Sequence, residues 1–262
     1  MLIPSSPDQF LYHYTRSSTV IEHILPHMRL RFSKFSQTND PRENKKMGFG
    51  LALPTEQMTG FDVRSFQNLV TENLQERVRI LCLTADSVQL ATGNKDDYER
   101  GFCHSRMWAQ YADRHTGMCL MLDASVLKQE IERSLSSLYA VYSGRVHYHN
   151  VHPDGTAFNM SLHGVVVDQY EAKIREHIHE KREALWFTKL KDWSDEQEFR
   201  WVLWAAADVS GDAFVSIKDA LKCIVVGCDC PVHHEIRAHD YGRQLGIRVH
   251  RIHWSIYSIH LQ

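Results

Sequence analysis

Long apolar runs are missing: no stretch of the 262 residues approaches the roughly 18 consecutive apolar residues that a membrane helix needs. The opening MLIPSSPDQFLYHYT lacks a basic region followed by an apolar run, so no secretory signal is expected. An excess of one charge is also missing. Charged residues make up 24% of the chain yet sum to −2, which excludes the positive bias of a general nucleic-acid binder and leaves room only for a local basic groove. With 13 glycines, 7 prolines and no low-complexity tract or internal repeat, nothing reads as disordered or as a solenoid. Six cysteines are too few and too scattered for a disulfide framework. Cys82 and Cys119 sit in the apolar runs RILCLT and GMCLML, where Cys acts as a small hydrophobe, and reduced thiols in a cytoplasmic protein are expected. No Walker phosphate loop, Rossmann glycine fingerprint or Gly-x-Ser-x-Gly elbow occurs. Those absences remove the common nucleotide kinases, Rossmann dehydrogenases and α/β-hydrolases, without removing NAD as a substrate.

What is present is an apolar fraction of 43% with 10% aromatics, enough for a sizeable core. FLYHYT, LRFS, RILCLT, MCLMLD, FRWVLWAAA, FVSI, CIVVG and IRVHRIHW read as strands. VIEHIL, residues 61–77, SRMWAQYADRHTG, residues 168–190 and residues 231–245 read as helices, with QTNDPRE a turn and residues 86–101 a polar irregular stretch. Trp108, Tyr111, Ala112 and His115 fall on one helical stripe that Gly117 is placed to end. Strand runs mix with helices without regular βαβ alternation. The fold expected is therefore α+β, a mixed and largely antiparallel sheet flanked by helices, in one domain over residues 1–262.

The clearest chemistry lies in Trp193-x-x-Glu196-Gln197-Glu198-Phe199-Arg200. If residues 196–200 are extended, both glutamates point to one side and each raises the other's pKa unless an arginine, a metal or a cationic transition state compensates. Taken alone, Glu-x-Glu is an acidic turn in water, His13 a polar residue on an edge strand, Trp108 and Tyr111 core, and Asn39-Asp40 a turn. The alternative for that turn is a loop closing over a ligand, with Arg42 reaching a phosphate. Cys223, Cys228, Cys230, His233 and His234 cluster within twelve residues but lack the paired Cys-x-x-Cys of a zinc knuckle, so no metal is expected.

The order LYHYT, then Trp-x-x-Tyr, then Glu-x-Glu resembles the ADP-ribosyltransferase fold. That resemblance implies an NAD-consuming enzyme in which His13 binds ribose, Tyr111 and Trp108 pack on nicotinamide, Glu198 stabilises an oxocarbenium-like cation and Glu196 activates the acceptor. His13, Tyr14, Thr15, Asn39, Arg42, Trp108, Tyr111 and Arg200 make up the expected NAD-contacting set, with Glu198, Glu196 and His13 as the catalytic one. A helical Tyr111 departs from the usual form of that fold, in which this residue lies in a strand. A closer resemblance runs through LYHYT, NDPRE, RILCLT, MWAQYADRHTGMCLMLD, WSDEQEFRWVL and CIVVG, to a widespread bacterial family catalogued only as a domain of unknown function. It implies a toxin or antiviral defence effector, with an acceptor that is a protein or a nucleic acid, a possible antitoxin or defence partner, and no membrane. Two other functions fit the same residues: a non-catalytic nucleotide- or partner-binding module, and a metal-independent ribonuclease pairing His13 with His104 or His115.

Overall fold

The computed structural model describes residues 9–45, 48–53, 61–87, 99–151, 155–205, 209, 211–255 and 259–261. Most of the polar stretch expected between residues 86 and 101, and the last two alanines of FRWVLWAAA, lie outside the described residues.

The chain is α+β. Strands β1 (Phe10–Thr15), β2 (Arg29–Lys34), β3 (Gly50–Ala52), β4 (Val78–Ala85), β5 (Met118–Asp123), β6 (Tyr139–Arg145), β7 (His147–His149), β8 (Asn159–Ser161), β9 (Thr188–Leu190), β10 (Glu198–Ala205), β11 (Ala213–Ser216), β12 (Leu221–Val226), β13 (Arg248–Trp254) and β14 (Ile259–Leu261) alternate with helical segments. These are α1 (residues 17–27), α2 (Pro41–Asn44), α3 (Val63–Thr71), α4 (Ser105–Tyr111), α5 (Ala124–Leu135), α6 (Tyr170–Trp186) and α7 (Val232–Leu245). The main sheet runs β11-β2-β4-β1-β5-β12-β13-β14, with β10 on β4 and β6 on β10. It is antiparallel except for β12 with β13, and the short pairs β3/β8 and β7/β9 are parallel. Among the described residues no helix is long and apolar enough to cross a membrane.

Strand periodicity sorts the core into faces. Leu81, Leu83 and Ala85 of β4 join Trp201, Leu203 and Ala205 of β10 in one cluster, with Ile131 of α5. On the opposite face Val78 and Ile80 meet Val202 and Trp204, covered by Ile174, Ile178, Leu185 and Trp186 of α6. The second face is apolar only at one end. Two residues earlier along β10 it continues as Arg200 and Glu198, opposite Cys82 and Thr84 of β4.

The feature that positions the site is a split on the other edge of β4. There, β1 pairs only with Thr84 and Ala85, and β2 only with Arg79 and Ile80. Residues 81–83 lie between the diverging strands with no strand partner on that edge among the described residues. The split is held open because β1 continues along β5 to Thr15 and β2 pairs with β11.

Candidate functional site

The split opens into a pocket of about 210 Å³, lined by His13 and Tyr14 of β1, Arg31 and Ser33 of β2, Thr38 and Asn39 of the following turn, Leu81, Cys82 and Leu83 of β4, Met107 and Tyr111 of α4, and Lys189, Glu196 and Glu198. That volume is smaller than the roughly 300–1,000 Å³ usual for a whole drug-sized ligand. It suits one ring or sugar of a larger molecule.

His13 follows directly after the last residue of β1 paired to β4, so its ring reaches the freed edge and donates to the Cys82 carbonyl. Burial lowers its pKa to about 4, against the opposing effect of that bond. At neutral pH it is an uncharged imidazole. Cys82 is exposed to the pocket although it sits mid-sheet, a consequence of the missing neighbour strand. The pocket that it faces is walled by protein, and this desolvation together with the nearby Glu198 charge pushes its thiol well up, so it is no ready nucleophile.

Tyr111 ends α4, on a helix as the sequence indicates. The helix stops there: Asp113, Arg114 and His115 all have left-handed backbones (φ 48, 55 and 69°), so His115 leaves the stripe expected for it. Its ring meets Trp254 edge-on. Gly117 closes the turn through close approach, its amide bonding Ala112 O at 2.7 Å.

Glu196 and Glu198 are each 4% exposed, which overturns the picture of an acidic turn in water. Nor is the segment extended throughout. Glu196 ends a 3-10 turn (Lys191–Glu196), Gln197 takes a left-handed backbone (φ 44°), and Glu198 starts β10. The carboxylates still converge, because Lys189 draws both: its Nζ lies 2.8 Å from Glu196 Oε2 and 2.9 Å from Glu198 Oε2. Trp193 places its ring 5.0 Å from the same ammonium. Glu198 also accepts from Arg200 Nε at 2.6 Å and Nη2 at 3.0 Å. Arg200, fully buried, continues to Glu43 Oε1 at 2.7 Å and to Trp186 O at 2.6 Å, one of the carbonyls that the end of α6 leaves without a helical partner. On the pocket side Tyr111 donates its hydroxyl to Glu196 Oε1 at 2.5 Å.

The two carboxyls are driven apart electrostatically. Burial would raise Glu198, but Arg200 and Lys189 overcome it and hold this carboxyl well below the usual range. Glu196 is raised by burial, with the Glu198 charge adding to it and Lys189 opposing. Burial also raises Tyr111, and the Glu196 charge reinforces that. Glu198 is thus a fixed anion, and Glu196 is the member of the pair suited to exchange a proton.

Of the expected residues, His13, Tyr14, Asn39, Tyr111, Glu196 and Glu198 line one pocket. Thr15, Trp108, Arg42 and Arg200 do not. Trp108 is core: it is wholly buried, its indole N–H bonds Phe102 O at 2.8 Å, and Tyr14 packs edge-on at 5.2 Å. Thr15 pairs with Met118 at the far end of β1, Arg42 lines a neighbouring pocket, and Arg200 lies beneath the carboxylates. The acid–base partners considered for His13 are also elsewhere: His104 Nδ1 contacts Asp195 O, and neither His104 nor His115 lines the pocket. In the Cys/His cluster, Cys230 is buried while His234 Nδ1 contacts Ser17 Oγ. Among the described residues no group of three or more His, Cys, Asp or Glu converges as a metal site would.

Lys189 and Cys82, which line the pocket, and Glu43, which pairs with Arg200 beneath it, are residues that sequence patterning does not single out. Lys189 in TKLKDW is one basic residue of a mixed run, and only the buried face of β9 separates it from Lys191.

No curated protein and no solved structure matches the chain. The resemblance drawn from the sequence extends to LYHYT and NDPRE, beyond the stretch that a family model covers. Residues 107–201, which carry Tyr111, Lys189, Glu196, Glu198 and Arg200, match the family described as Protein of unknown function (DUF2971).

Proposed function

We propose that the pocket binds the nicotinamide–ribose end of NAD and that the protein cleaves this N-glycosidic bond, passing ADP-ribose to an acceptor in the manner of an ADP-ribosyltransferase. The observation that carries the reading is the charge of the buried cluster. Three carboxylates (Glu43, Glu196, Glu198) face two cations (Lys189, Arg200). With all five ionised, one negative charge is left over beside the pocket. A pyridinium substrate neutralises it in a low-dielectric site, and the oxocarbenium-like cation formed from it is favoured by the same charge.

The ribose C1″–nitrogen bond breaks, nicotinamide leaves with the bonding electron pair, and the cation is captured by an acceptor nucleophile or by water. Glu198 supplies the fixed negative charge. Glu196, bonded to Tyr111, takes the nucleophile's proton. Neutral His13 hydrogen-bonds a ribose hydroxyl or the carboxamide. A retaining-glycosidase arrangement, with the sugar between two carboxylates, does not fit, because Lys189 fills the space between Glu196 and Glu198.

The experiment is nicotinamide release from NAD by purified protein, with and without cell extract, comparing wild type with Glu196→Gln and Glu198→Gln. Release is expected to fall at least ~10²-fold in Glu198→Gln. Undiminished release in both variants sinks the mechanism. Dependence on extract marks a transferase, and independence marks an NAD hydrolase.

One observation favours a second reading, nucleotide binding without turnover: both Glu198 oxygens are already engaged, by Arg200 and Lys189. Calorimetric binding of NAD with no nicotinamide released under any condition would support it.

A further inference from the structure

The cluster has a second side. Lys189 lines the first pocket and also a neighbouring one of about 330 Å³, whose walls include Arg42, Glu43, Lys45, His149, Phe158 and Leu185. Its composition differs from that of the first pocket. Arg42 and Lys45 are exposed and make no ion pair among the described residues. Phe158 and His149 offer flat surfaces beside the apolar Leu185. Glu43 is 4% exposed, and while its Oε1 is taken by Arg200, its Oε2 has no hydrogen-bond partner among the described residues. A buried acceptor without a donor is costly, and Glu43 is among the residues that line this pocket.

We infer that this second pocket binds a phosphorylated nucleoside, with its phosphate on Arg42 and Lys45, its base against Phe158 and His149, and an exocyclic amino group donating to Glu43 Oε2. Two cations select phosphate. The aromatic surface selects a ring system, since bases stack on such side chains whatever their sequence. The unpaired carboxylate oxygen selects bases that carry an amino group (adenine, cytosine, guanine) over uracil or thymine, which have none. The ring donor that uracil and thymine can offer, N3–H, is flanked by two carbonyls that a carboxylate repels. Small anions satisfy only the first of these three features.

The shared wall gives the site its place in the reaction. A ligand here is separated from the first pocket by Lys189 and is joined to Glu196 through the contacts Glu43–Arg200–Glu198–Lys189. It is therefore a part of the nucleic-acid strand that flanks the acceptor, since Glu196, which takes the acceptor's proton, lines only the first pocket. This role alone rests on the NAD reading; the binding does not.

The test is titration of the full chain by calorimetry with AMP, CMP, GMP, UMP and inorganic phosphate, and with a 5′-phosphorylated tetranucleotide. AMP, CMP or GMP is expected to bind at least about tenfold more tightly than UMP or phosphate. The Arg42→Ala/Lys45→Ala double variant, altered only at exposed side chains, is expected to weaken that binding by roughly tenfold or more. Tighter binding of the tetranucleotide assigns the ligand to a strand end, and tighter binding of a mononucleotide assigns it to the free pool; both support the site. Absence of nucleotide binding, binding unchanged in the double variant, or UMP or phosphate matching the amino-bearing nucleotides overturns it. If nucleotides bind as expected but no nicotinamide is released from NAD, the site stands and the NAD reading is what has failed.

Discussion

Lys189 Nζ lies 2.8 Å from Glu196 Oε2, and both side chains are only 6% exposed. A single ammonium therefore holds Glu196 and the more deeply buried Glu198 together. Burial disfavours its charge, yet Glu198, Glu43 and Glu196 hold its pKa well above the ordinary lysine value. The carboxylate pair depends on a residue from a three-residue strand.

Lys189→Met removes this bridge and leaves two buried carboxylates repelling one another. The expected loss of stability is about 3–5 kcal/mol, read from urea unfolding. Adding Glu196→Gln to that variant is expected to recover part of the loss. A cost below about 1 kcal/mol for Lys189→Met contradicts the bridging role.

The two glutamates are expected to differ sharply when each is neutralised. Glu198→Gln deprives wholly buried Arg200 of its bidentate partner and is expected to cost about 3 kcal/mol. Glu196→Gln removes the surplus carboxylate, keeps an acceptor for Tyr111 and Lys189, and is expected to fall within about 1 kcal/mol of wild type. Equal costs in thermal or urea unfolding would mean that the two carboxyls share the negative charge evenly, which contradicts a fixed anion at Glu198.

His13 supplies a pH signature. Its folded pKa of about 4 lies below that of an unfolded histidine, about 6.5. As pH falls below about 6.5 the unfolded chain takes the proton first, so stability falls, by up to about 1.4 kcal/mol per pH unit, until the folded form protonates near pH 4. Above about pH 6.5 His13 contributes no pH dependence. Denaturation profiles of wild type and His13→Gln are expected to diverge between about pH 6.5 and 5. Parallel profiles would mean that the imidazole takes its proton as readily in the folded protein as in the unfolded chain.

Gly117 serves close packing where another glycine serves only conformation. A Cβ at Gly117 would sit 2.3 Å from Thr15 O and 2.7 Å from Ala112 O, both backbone atoms that cannot swing aside. Gly117→Ala is expected to cost about 3 kcal/mol and to disturb the turn behind Tyr111. Gly246, at the end of α7 with φ +68°, has open space around it, so its alanine variant is expected to cost only about 1 kcal/mol. Thermal shifts of the two variants, measured side by side, test the distinction.

Local pattern in the sequence was enough to mark the strands around the site. FLYHYT, RILCLT, MCLMLD and FRWVLWAAA became β1, β4, β5 and β10 because their β-rich apolar runs are bounded by polar or turn-forming residues. Local pattern also marked Glu196 and Glu198, two acidic residues beside an apolar strand, whereas His13 and Tyr111 were singled out by the resemblance to the ADP-ribosyltransferase fold. Four residues of the expected set were displaced by tertiary packing. Trp108 went to the core because its indole found a carbonyl in Phe102, and helical spacing does not tell a buried stripe from a pocket wall. Arg42 faces a second pocket, Arg200 lies under the first, and Thr15 is held along β5.

Sequence alone therefore determined the α+β class and which segments around the site form strands and helices, since both follow from period and composition. Only the tertiary structure decided that β1 and β2 part along β4, that Gln197 turns left-handed, and that Lys189 and Glu43 meet carboxylate and guanidinium partners from distant segments. Those relations depend on long-range burial: an ion pair this deep forms only once the surrounding core has removed water, and no neighbour in the chain records that event.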